Sequence, residues 1–268
     1  MEGLHFQQWI PEGSTGVAIL LIHGAGEHSG RYEHVINWFL ARNIAVFAGD
    51  LPGFGQSPGT RGHIDRFSDY TDCVRNWLTE TKNTVGDTSV FLFGHSMGGL
   101  VTVRFLQEPD AGNLPIKGVV LSSPCLRLKM QVPQWKRNLA GVLGRLTPRL
   151  RMPNGIAAAD VSRSLDVVKK YSEDPYNESR VSIRWFEELQ VAMQQAMLQA
   201  SRIQQPLLLL QAGADRIVDP EAAIPFVEKA GSRDKKLKIY PGLYHELVNE
   251  PEKEEVLTDI LEWINKRK

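Results

Sequence analysis

Short runs of apolar residues recur along this chain and alternate with longer amphipathic stretches. Continuous apolar runs are typical of strands that are covered on both faces. They predict buried strands at Val17–Ile22, Ala45–Ala48, Val90–Phe93, Gly118–Ser122, Leu207–Gln211 and Leu237–Tyr240. Helical patterns lie between them at Glu33–Arg42, Phe67–Thr81, Gly98–Gln107, Glu221–Ala230 and Lys253–Asn265. This alternation predicts an α/β fold with a mostly parallel central sheet and helices on both faces.

The alternation stops in the stretch from about 126 to 200. Prolines punctuate that stretch, which carries helical patterns and no recognisable strand. We therefore predict a single domain over residues 1–268, with a helical cap inserted at about 126–200. An insertion at this place would lie over the carboxyl ends of the strands, where parallel sheets bind their ligands.

Composition excludes several other classes of protein. Lys plus Arg and Asp plus Glu are equal at 31 each, so no overall charge attracts nucleic acid. The glycine-rich Gly53–Gly59 stretch lacks a dinucleotide fingerprint, and His23, His28 and His34 lack metal-ligand spacing. We expect no metal, no cofactor and no nucleic-acid partner.

With no visible signal peptide and no apolar run long enough to span a bilayer, we expect a cytoplasmic protein.

A sharp turn between a predicted strand and a predicted helix carries a candidate nucleophile. The turn is Gly94-His95-Ser96-Met97-Gly98, a G-x-S-x-G pattern in the strand, turn and helix context that gives it meaning. Such a turn exposes the Ser96 hydroxyl at the end of the sheet and at a helix N-terminus. The alternative is a glycine-rich turn whose serine only caps the helix. We interpret His95 as a neighbour of the site rather than its base.

A serine nucleophile needs a base within hydrogen-bond reach, and the base needs a carboxylate that orients it. His245 follows the last predicted strand and precedes the last predicted helix. Asp215 follows the strand at Leu207–Gln211, and Asp219 is its competitor for the acid. The chain order serine, aspartate, histidine is the order found in α/β-hydrolases.

In an α/β-hydrolase, two backbone amides hold the negative oxygen of the tetrahedral intermediate. One belongs to the residue after the nucleophile, here Met97, and the other to an early strand-to-helix loop, here Ala25 in His23-Gly24-Ala25-Gly26. Each donor of this kind contributes about 3 kcal/mol to transition-state stabilisation. An ordinary strand-to-helix turn is the alternative for the early loop.

Several motifs resemble those of the monoacylglycerol lipases and bacterial lysophospholipases, one branch of the α/β-hydrolase superfamily. They are His23-Gly24-Ala25-Gly26-Glu27-His28-Ser29-Gly30-Arg31-Tyr32, Asp50-Leu51-Pro52-Gly53-Phe54-Gly55-Gln56-Ser57, Gly94-His95-Ser96-Met97-Gly98-Gly99, Ala214-Asp215-Arg216 and Tyr244-His245. Ser122-Ser123-Pro124-Cys125-Leu126 and Gly242-Leu243-Tyr244-His245-Glu246 are similar to segments of a bacillus phospholipase. The resemblance covers most of the chain and is weakest at about 126–200.

The resemblance implies an α/β-hydrolase fold and a serine hydrolase that needs no cofactor. It implies a triad of Ser96, Asp215 and His245, with oxyanion donors at Ala25 and Met97. It also implies that Glu27, Arg31 and Tyr171 bind the glycerol head of the substrate. For these three residues, ordinary surface polarity is the alternative.

The expected reaction is cleavage of the carboxylic ester of a single-chain glycerolipid through an acyl-enzyme. Monoacylglycerol would then give glycerol and fatty acid. A lysophospholipase or phospholipase on the same scaffold is the first alternative. A peptidase or amidase, and a non-catalytic scaffold or ligand receptor, are the others, because fold alone does not decide chemistry.

The stretch from Arg127 to Arg151 contains several basic residues and no acidic residue. Within it, Trp135, Leu139 and Leu146 recur at helical spacing after Pro133, with cations elsewhere around the helix. Such a helix suits a membrane interface, where anionic lipid attracts each cation by about 1 kcal/mol. We therefore consider peripheral contact with an anionic inner membrane surface. The alternative is a helix that packs its apolar side onto its own domain.

Overall fold

The computed structural model describes residues 3–13, 15–111, 114–129 and 147–268. A seven-stranded sheet in the order β1-β3-β2-β4-β5-β8-β9 forms its centre. The strands of this sheet are β1 (Phe6–Trp9), β2 (Val17–Ile22), β3 (Ala45–Gly49), β4 (Ser89–His95), β5 (Ile116–Ser122), β8 (Leu207–Ala212) and β9 (Lys235–Tyr240). Strand β1 is antiparallel to β3, and the other neighbours in the sheet are parallel. All of the predicted strands are present, but β9 lies at the edge of the sheet and is largely exposed, so the predicted burial at Leu237–Tyr240 was wrong there except at Tyr240.

The helices within the described residues are α1 (Glu33–Leu40), α2 (Ser68–Val85), α3 (Ser96–Leu106), α4 (Ala158–Val161), α5 (Leu165–Glu173), α6 (Ile183–Leu198), α7 (Ala223–Lys229) and α8 (Lys253–Asn265). All of them except α4 and α5, which belong to the insertion, pack in the two cores on either face of the sheet. Alternate residues of β2 enter different cores, because successive side chains of a strand point to opposite faces. Ala18 and Leu20 pack with α2, α3, α6 and α7, whereas Ile19 and Leu21 pack with α1 and α8. This arrangement confirms the predicted α/β class.

The prediction of an insertion without strands was wrong. Strands β6 (Arg151–Pro153) and β7 (Arg180–Ser182) pair antiparallel in a separate two-stranded sheet. Three residues are too few to show a period of two, and they pair only because residues far apart in the chain meet. The edge strand β1 was also missed. Its polar FQQW sequence is only partly buried, so it has no continuous apolar run.

The stretch between β5 and β8 leaves the sheet and returns over the carboxyl ends of the strands. Its described part touches the loop after β2 through the bond from Glu178 N to Gly26 O, of 2.8 Å. It touches the loop after β3 through Ser182 N and Gly62 O, also 2.8 Å apart. The predicted amphipathic helix, with Trp135 and Leu139, lies outside the described residues. Within the described ranges, none of the helices is long and apolar enough to cross a membrane.

Candidate active site

The turn between β4 and α3 holds Ser96 in a strained conformation. Its φ angle is +51°, in the left-handed region that costs a residue with a side chain about 1–2 kcal/mol. The flanking glycines are required by close approach. A Cβ atom at Gly98 would lie 2.2 Å from the carbonyl oxygen of Ile22, and one at Gly94 would lie 2.7 Å from that of Gly98. The sequence folds this way because only glycine lets α3 approach the end of β2.

The structure brings Ser96, His245 and Asp215 into one hydrogen-bonded chain. The Oγ atom of Ser96 lies 2.8 Å from Nε2 of His245, and Nδ1 of His245 lies 2.7 Å from Oδ2 of Asp215. Because a carboxylate only accepts, Nδ1 carries the proton and Nε2 is free to accept one from the serine. The hydroxyl of Ser96 therefore faces an imidazole base.

Asp219 lies elsewhere. Its side chain accepts a hydrogen bond from the amide of Glu221 at 3.0 Å and another from Nε of Arg127 at 2.7 Å. By contrast, Oδ1 of Asp215 accepts the amides of Ile217 and Val218 at 2.9 and 3.0 Å. These two bonds orient the Asp215 carboxylate and leave its other oxygen for His245.

The site shifts the pKa values of its own members in a consistent way. Burial opposes the ionisation of Asp215, but His245 and the hydrogen bonds outweigh it, so the pKa of Asp215 is lowered. Burial also opposes the protonation of His245, but Asp215 outweighs it, so the pKa of His245 is raised. The site thus stabilises an imidazolium beside a carboxylate, as a proton transfer from Ser96 requires.

His95 is placed next to the triad and outside its hydrogen-bonded chain. Its Nδ1 lies 3.1 Å from the carbonyl oxygen of Ser122, to which it donates. Burial and the neighbouring His245 lower the pKa of His95 to about 4. The ring is therefore neutral at ordinary pH and is not the partner of Ser96.

The early loop that carries Ala25 lies directly against the serine. A Cβ atom at Gly24 would be 3.1 Å from the Cβ atom of Ser96. Met97 occupies the first turn of α3, where backbone amides have no acceptor within the helix. The two predicted oxyanion donors thus lie on the two segments that meet at Ser96.

A buried ion cluster connects this loop to the histidine loop. Arg31 Nη1 donates to Glu27 Oε2 at 2.6 Å, and its two Nη atoms donate to the carboxylate oxygens of Glu246 at 2.6 and 2.7 Å. Burial opposes the charge of Glu27, but Arg31 and the other polar neighbours together outweigh it and lower the pKa of Glu27 to about 2. The guanidinium also lies 4.6 Å from the centre of the Tyr171 ring. The structure therefore gathers Glu27, Arg31 and Tyr171 in one place.

Glu27 is held from several sides. Its Oε1 atom accepts the amide of Gly24 at 2.6 Å and the hydroxyl of Tyr32 at 2.7 Å. The side chain is buried, with 3% exposed. Glu27 thus shapes the early loop in addition to balancing Arg31.

Three contacts of the site were missed by reasoning from the sequence. They are the bond from Arg31 Nη1 to Glu246, the bond from the Cys125 amide to the carbonyl oxygen of Ser96 at 2.9 Å, and the bond from Lys129 Nζ to the carbonyl oxygen of Asp215 at 2.6 Å. Each joins residues that are distant in the chain, so no local sequence pattern predicts it. The one sequence signal for the bond between Arg31 and Glu246 is the position of Glu246 directly after the candidate base His245.

The early histidines have structural partners. His23 donates from Nδ1 to the carbonyl oxygen of Gly24 at 2.8 Å and accepts the amide of Leu51 at Nε2, also at 2.8 Å. Within the part of the chain that the structure describes, no cluster of three or more His, Cys, Asp and Glu side chains could hold a metal ion.

Comparison with known proteins assigns the family. The sequence model of the family described as serine aminopeptidase, S33, matches residues 13–252, which is most of the chain. The chain belongs to this family. Phospholipase YtpA of Bacillus subtilis is a relative, 36% identical over 92% of this chain and 95% of that protein. Human monoglyceride lipase is 33% identical over 98% of this chain and 87% of its own length.

Solved structures agree with this family assignment. The crystal structure of Paleococcus ferrophilus monoacylglycerol lipase superposes with a TM-score of 0.89, at 36% identity over 100% of both chains. The α/β-hydrolase GrgF from Penicillium has a TM-score of 0.79 at 18% identity, over 100% of this chain and 96% of its own, which shows the shared fold. The predicted α/β-hydrolase fold and the resemblance to the lipase branch are confirmed.

Proposed function

We propose that this chain is a serine hydrolase that cleaves the carboxylic ester of a single-chain glycerolipid, with monoacylglycerol as its substrate. The observation that carries the proposal is the chain of contacts from Ser96 through His245 to Asp215, with spacings of 2.8 and 2.7 Å. Such a chain activates a hydroxyl for attack on an acyl carbon. Relatives named monoacylglycerol lipase and monoglyceride lipase, which align over nearly the whole chain, support the substrate class.

In the first half of the reaction, Ser96 Oγ bonds to the acyl carbon while His245 Nε2 takes the hydroxyl proton. The amides of Ala25 and Met97 hold the oxyanion that forms. As the bond to glycerol breaks, His245 gives the proton to the leaving alcohol. In the second half, His245 takes a proton from water, the hydroxide attacks the acyl carbon, and Ser96 leaves with that proton as the fatty acid is released.

The leaving glycerol would lie beside the cluster of Glu27, Arg31 and Tyr171. These side chains adjoin the oxyanion loop, and Glu246 of the same cluster directly follows the base. The carboxylates already occupy Arg31, so we assign it the role of ordering the cluster. Tyr171 is only partly buried, and we assign its hydroxyl a role in binding the head group.

A lysophospholipase activity is the second candidate. It is favoured by the 36% identity to phospholipase YtpA over almost the full length of both proteins. A lysophospholipid has the same acyl ester and differs in what the leaving alcohol carries. The triad chemistry described above would serve either substrate.

An activity panel tests the proposal. It compares kcat/KM for monoacylglycerols of several chain lengths, lysophosphatidylcholine, lysophosphatidylglycerol and an aminoacyl amide, each with the wild type and Ser96→Ala. We expect the highest kcat/KM on a monoacylglycerol and its loss in Ser96→Ala. Preference for a lysophospholipid would favour the second candidate, and preference for the amide would make the chain a peptidase or amidase. Failure of Ser96 to react with a fluorophosphonate would indicate a non-catalytic protein.

We further propose that the enzyme works in the cytoplasm and contacts an anionic membrane surface peripherally. Free, buried thiols at Cys73 and Cys125 suit a reducing compartment. Leu150 and Leu165 are 53% and 84% exposed, and the exposed Arg149 adjoins Leu150. Apolar side chains next to cations favour a lipid interface. Binding to anionic vesicles at low salt, but not to neutral vesicles, would support this, and no binding to either would contradict it.

A further inference from the structure

The loop that carries Ala25 is held from outside by the insertion. On one side of Ala25, the amide of Gly24 donates to Glu27 Oε1 at 2.6 Å. On the other side, the carbonyl oxygen of Gly26 accepts the amide of Glu178 at 2.8 Å. Ala25 therefore lies between two fixed neighbours, and one of these bonds comes from a residue more than a hundred positions later.

The fit at Gly26 is close enough to require glycine. Its φ angle is +73°, and a Cβ atom there would lie 2.6 Å from the carbonyl oxygen of Glu178. The two backbones are in such close contact that no methyl group fits between them. A displacement of Glu178 would therefore also displace Gly26.

A side-chain contact joins the same two segments. Nε2 of His28 lies 2.9 Å from Oδ2 of Asp174, with side-chain exposures of 9% and 21%. The amide of Gly30 donates to Nδ1 of His28 at 3.2 Å, so that nitrogen is unprotonated and Nε2–H donates to Asp174. The ring of Tyr176 packs against the imidazole with centroids 5.5 Å apart.

The segment from 174 to 178, which we call the clasp, is itself anchored. Asp174 Oδ1 accepts the amide of Tyr176 at 2.9 Å. The carbonyl oxygen of Tyr176 accepts Nη2 of Arg61 at 2.8 Å, and that of Glu178 accepts Nδ2 of Asn154 at 2.9 Å. The bonds from Arg61 and Asn154 thus fix the middle and the end of the clasp, so it can hold the neighbouring loop in one position.

We propose that the clasp positions the oxyanion loop, and that Asp174 is a positioning residue that acts on the Ala25 amide through His28. This inference rests on the proposed role of Ala25 as an oxyanion donor. The donor has to point at an oxygen whose charge is largest in the transition state. A small displacement of the loop would therefore reduce transition-state binding more than substrate binding.

The test compares Asp174→Ala with Asp166→Ala as the matched control. Asp166 is a carboxylate of the same insertion that pairs with Lys170 at 3.0 Å in an exposed position, with 72% of its side chain accessible. The readouts are kcat and KM on p-nitrophenyl butyrate and the inhibition constant of a trifluoromethyl ketone, whose adduct with the serine mimics the tetrahedral intermediate. For Asp174→Ala we expect kcat to fall about tenfold, with the inhibition constant rising by the same factor and KM nearly constant. Asp166→Ala should match the wild type.

Two further variants keep the test decisive. Asp174→Asn retains an oxygen that accepts from His28 and should recover most of the lost kcat. Gly26→Ala disturbs the other contact and should raise the inhibition constant of the ketone in the same way. Unchanged kcat and inhibition constant in both Asp174→Ala and Gly26→Ala would overturn the inference, as would a rise in KM alone. A wild type that neither hydrolyses the nitrophenyl ester nor reacts with a fluorophosphonate would instead overturn the proposed function, and this inference with it.

Discussion

The imidazole rings of His95 and His245 lie with their centroids 4.8 Å apart, yet their pKa values are shifted in opposite directions. Both rings are buried, which disfavours the charged form in each. His95 faces a neutral carbonyl oxygen, so burial and the nearby His245 lower its pKa to about 4. His245 faces the carboxylate of Asp215, which raises its pKa in spite of burial. The group that accepts the hydrogen bond from Nδ1 therefore decides which of the two histidines has a raised pKa and can take up a proton.

This difference predicts the acid side of the pH profile. His245 acts as a base only when neutral, and its pKa is raised above the ordinary 6.5, so kcat/KM should fall as pH drops through a value above 6.5. In Asp215→Asn the charge that raises the pKa is gone, so the inflection of the residual activity should move to lower pH. Measurement of kcat/KM against pH for both proteins checks this. An inflection at the same pH in both would contradict it.

The two aspartates of the acid loop give a matched pair of variants. Asp215→Asn should lower kcat by on the order of 10⁴-fold, because the imidazole would then be held in the wrong tautomer. Asp219→Asn should leave kcat close to that of the wild type, since Asp219 bonds to Arg127 and the Glu221 amide. Ser96→Ala should lower kcat by roughly 10⁶-fold. A large loss in Asp219→Asn with normal turnover in Asp215→Asn would reverse the assignment.

Removal of Arg31 should destabilise the fold. Arg31→Ala leaves the buried carboxylates of Glu27 and Glu246 without their cation, which costs about 3–5 kcal/mol in similar cases. Lys170→Ala breaks an exposed pair with Asp166 and should cost no more than about 1 kcal/mol. Urea unfolding at pH 7 measures both. Equal losses in the two variants would show that the buried cluster does not stabilise the protein.

The same cluster predicts how stability depends on pH. Burial opposes the charge of Glu27, but Arg31, the largest favourable contribution, and the other polar neighbours together outweigh it, so the folded pKa is about 2 against 4.5 for the free group. A lowered pKa contributes stability above pH 4.5, and that contribution is lost as pH falls towards 2. We expect the free energy of unfolding of Arg31→Ala to approach that of the wild type over this range. A difference that stays constant down to pH 2 would contradict the assignment.

Gly98 should tolerate no side chain. A Cβ atom would lie 2.2 and 2.4 Å from the carbonyl oxygens of Ile22 and His23, both of which are backbone atoms in the core. We expect Gly98→Ala to lower the free energy of unfolding by about 2–4 kcal/mol and to lower kcat by displacing Ser96. Gly16→Ala is the control, because a Cβ atom there meets nothing within 4 Å, and it should change stability by less than about 1 kcal/mol. Denaturant unfolding and esterase assays of both variants give the comparison.

Most of the fold was predictable from the sequence, because strands of a sheet that is buried on both faces have continuous apolar sequences. Strand β2 was predicted at Val17–Ile22 and α8 at Lys253–Asn265, and both have these bounds in the structure. The antiparallel pair of β6 and β7 has no such local pattern, since each strand has three residues and their pairing joins distant chain segments. The predicted helix Glu221–Ala230 is divided into a short 3₁₀ turn at Pro220–Ala222 and α7, which a helical period does not distinguish.

The candidate site divides in the same way. The sequence by itself determined that a serine lies on a strained turn, that an aspartate and a histidine follow later strands, and that glycines surround the nucleophile. These features are local, because they depend on neighbouring residues and on backbone angles. Only the tertiary structure placed Asp215, and not Asp219, against His245, and brought Glu246 to Arg31 and Asp174 to His28. Those choices depend on distances of about 3 Å between atoms far apart in the chain, and such distances arise only when the whole sheet and its insertion are packed.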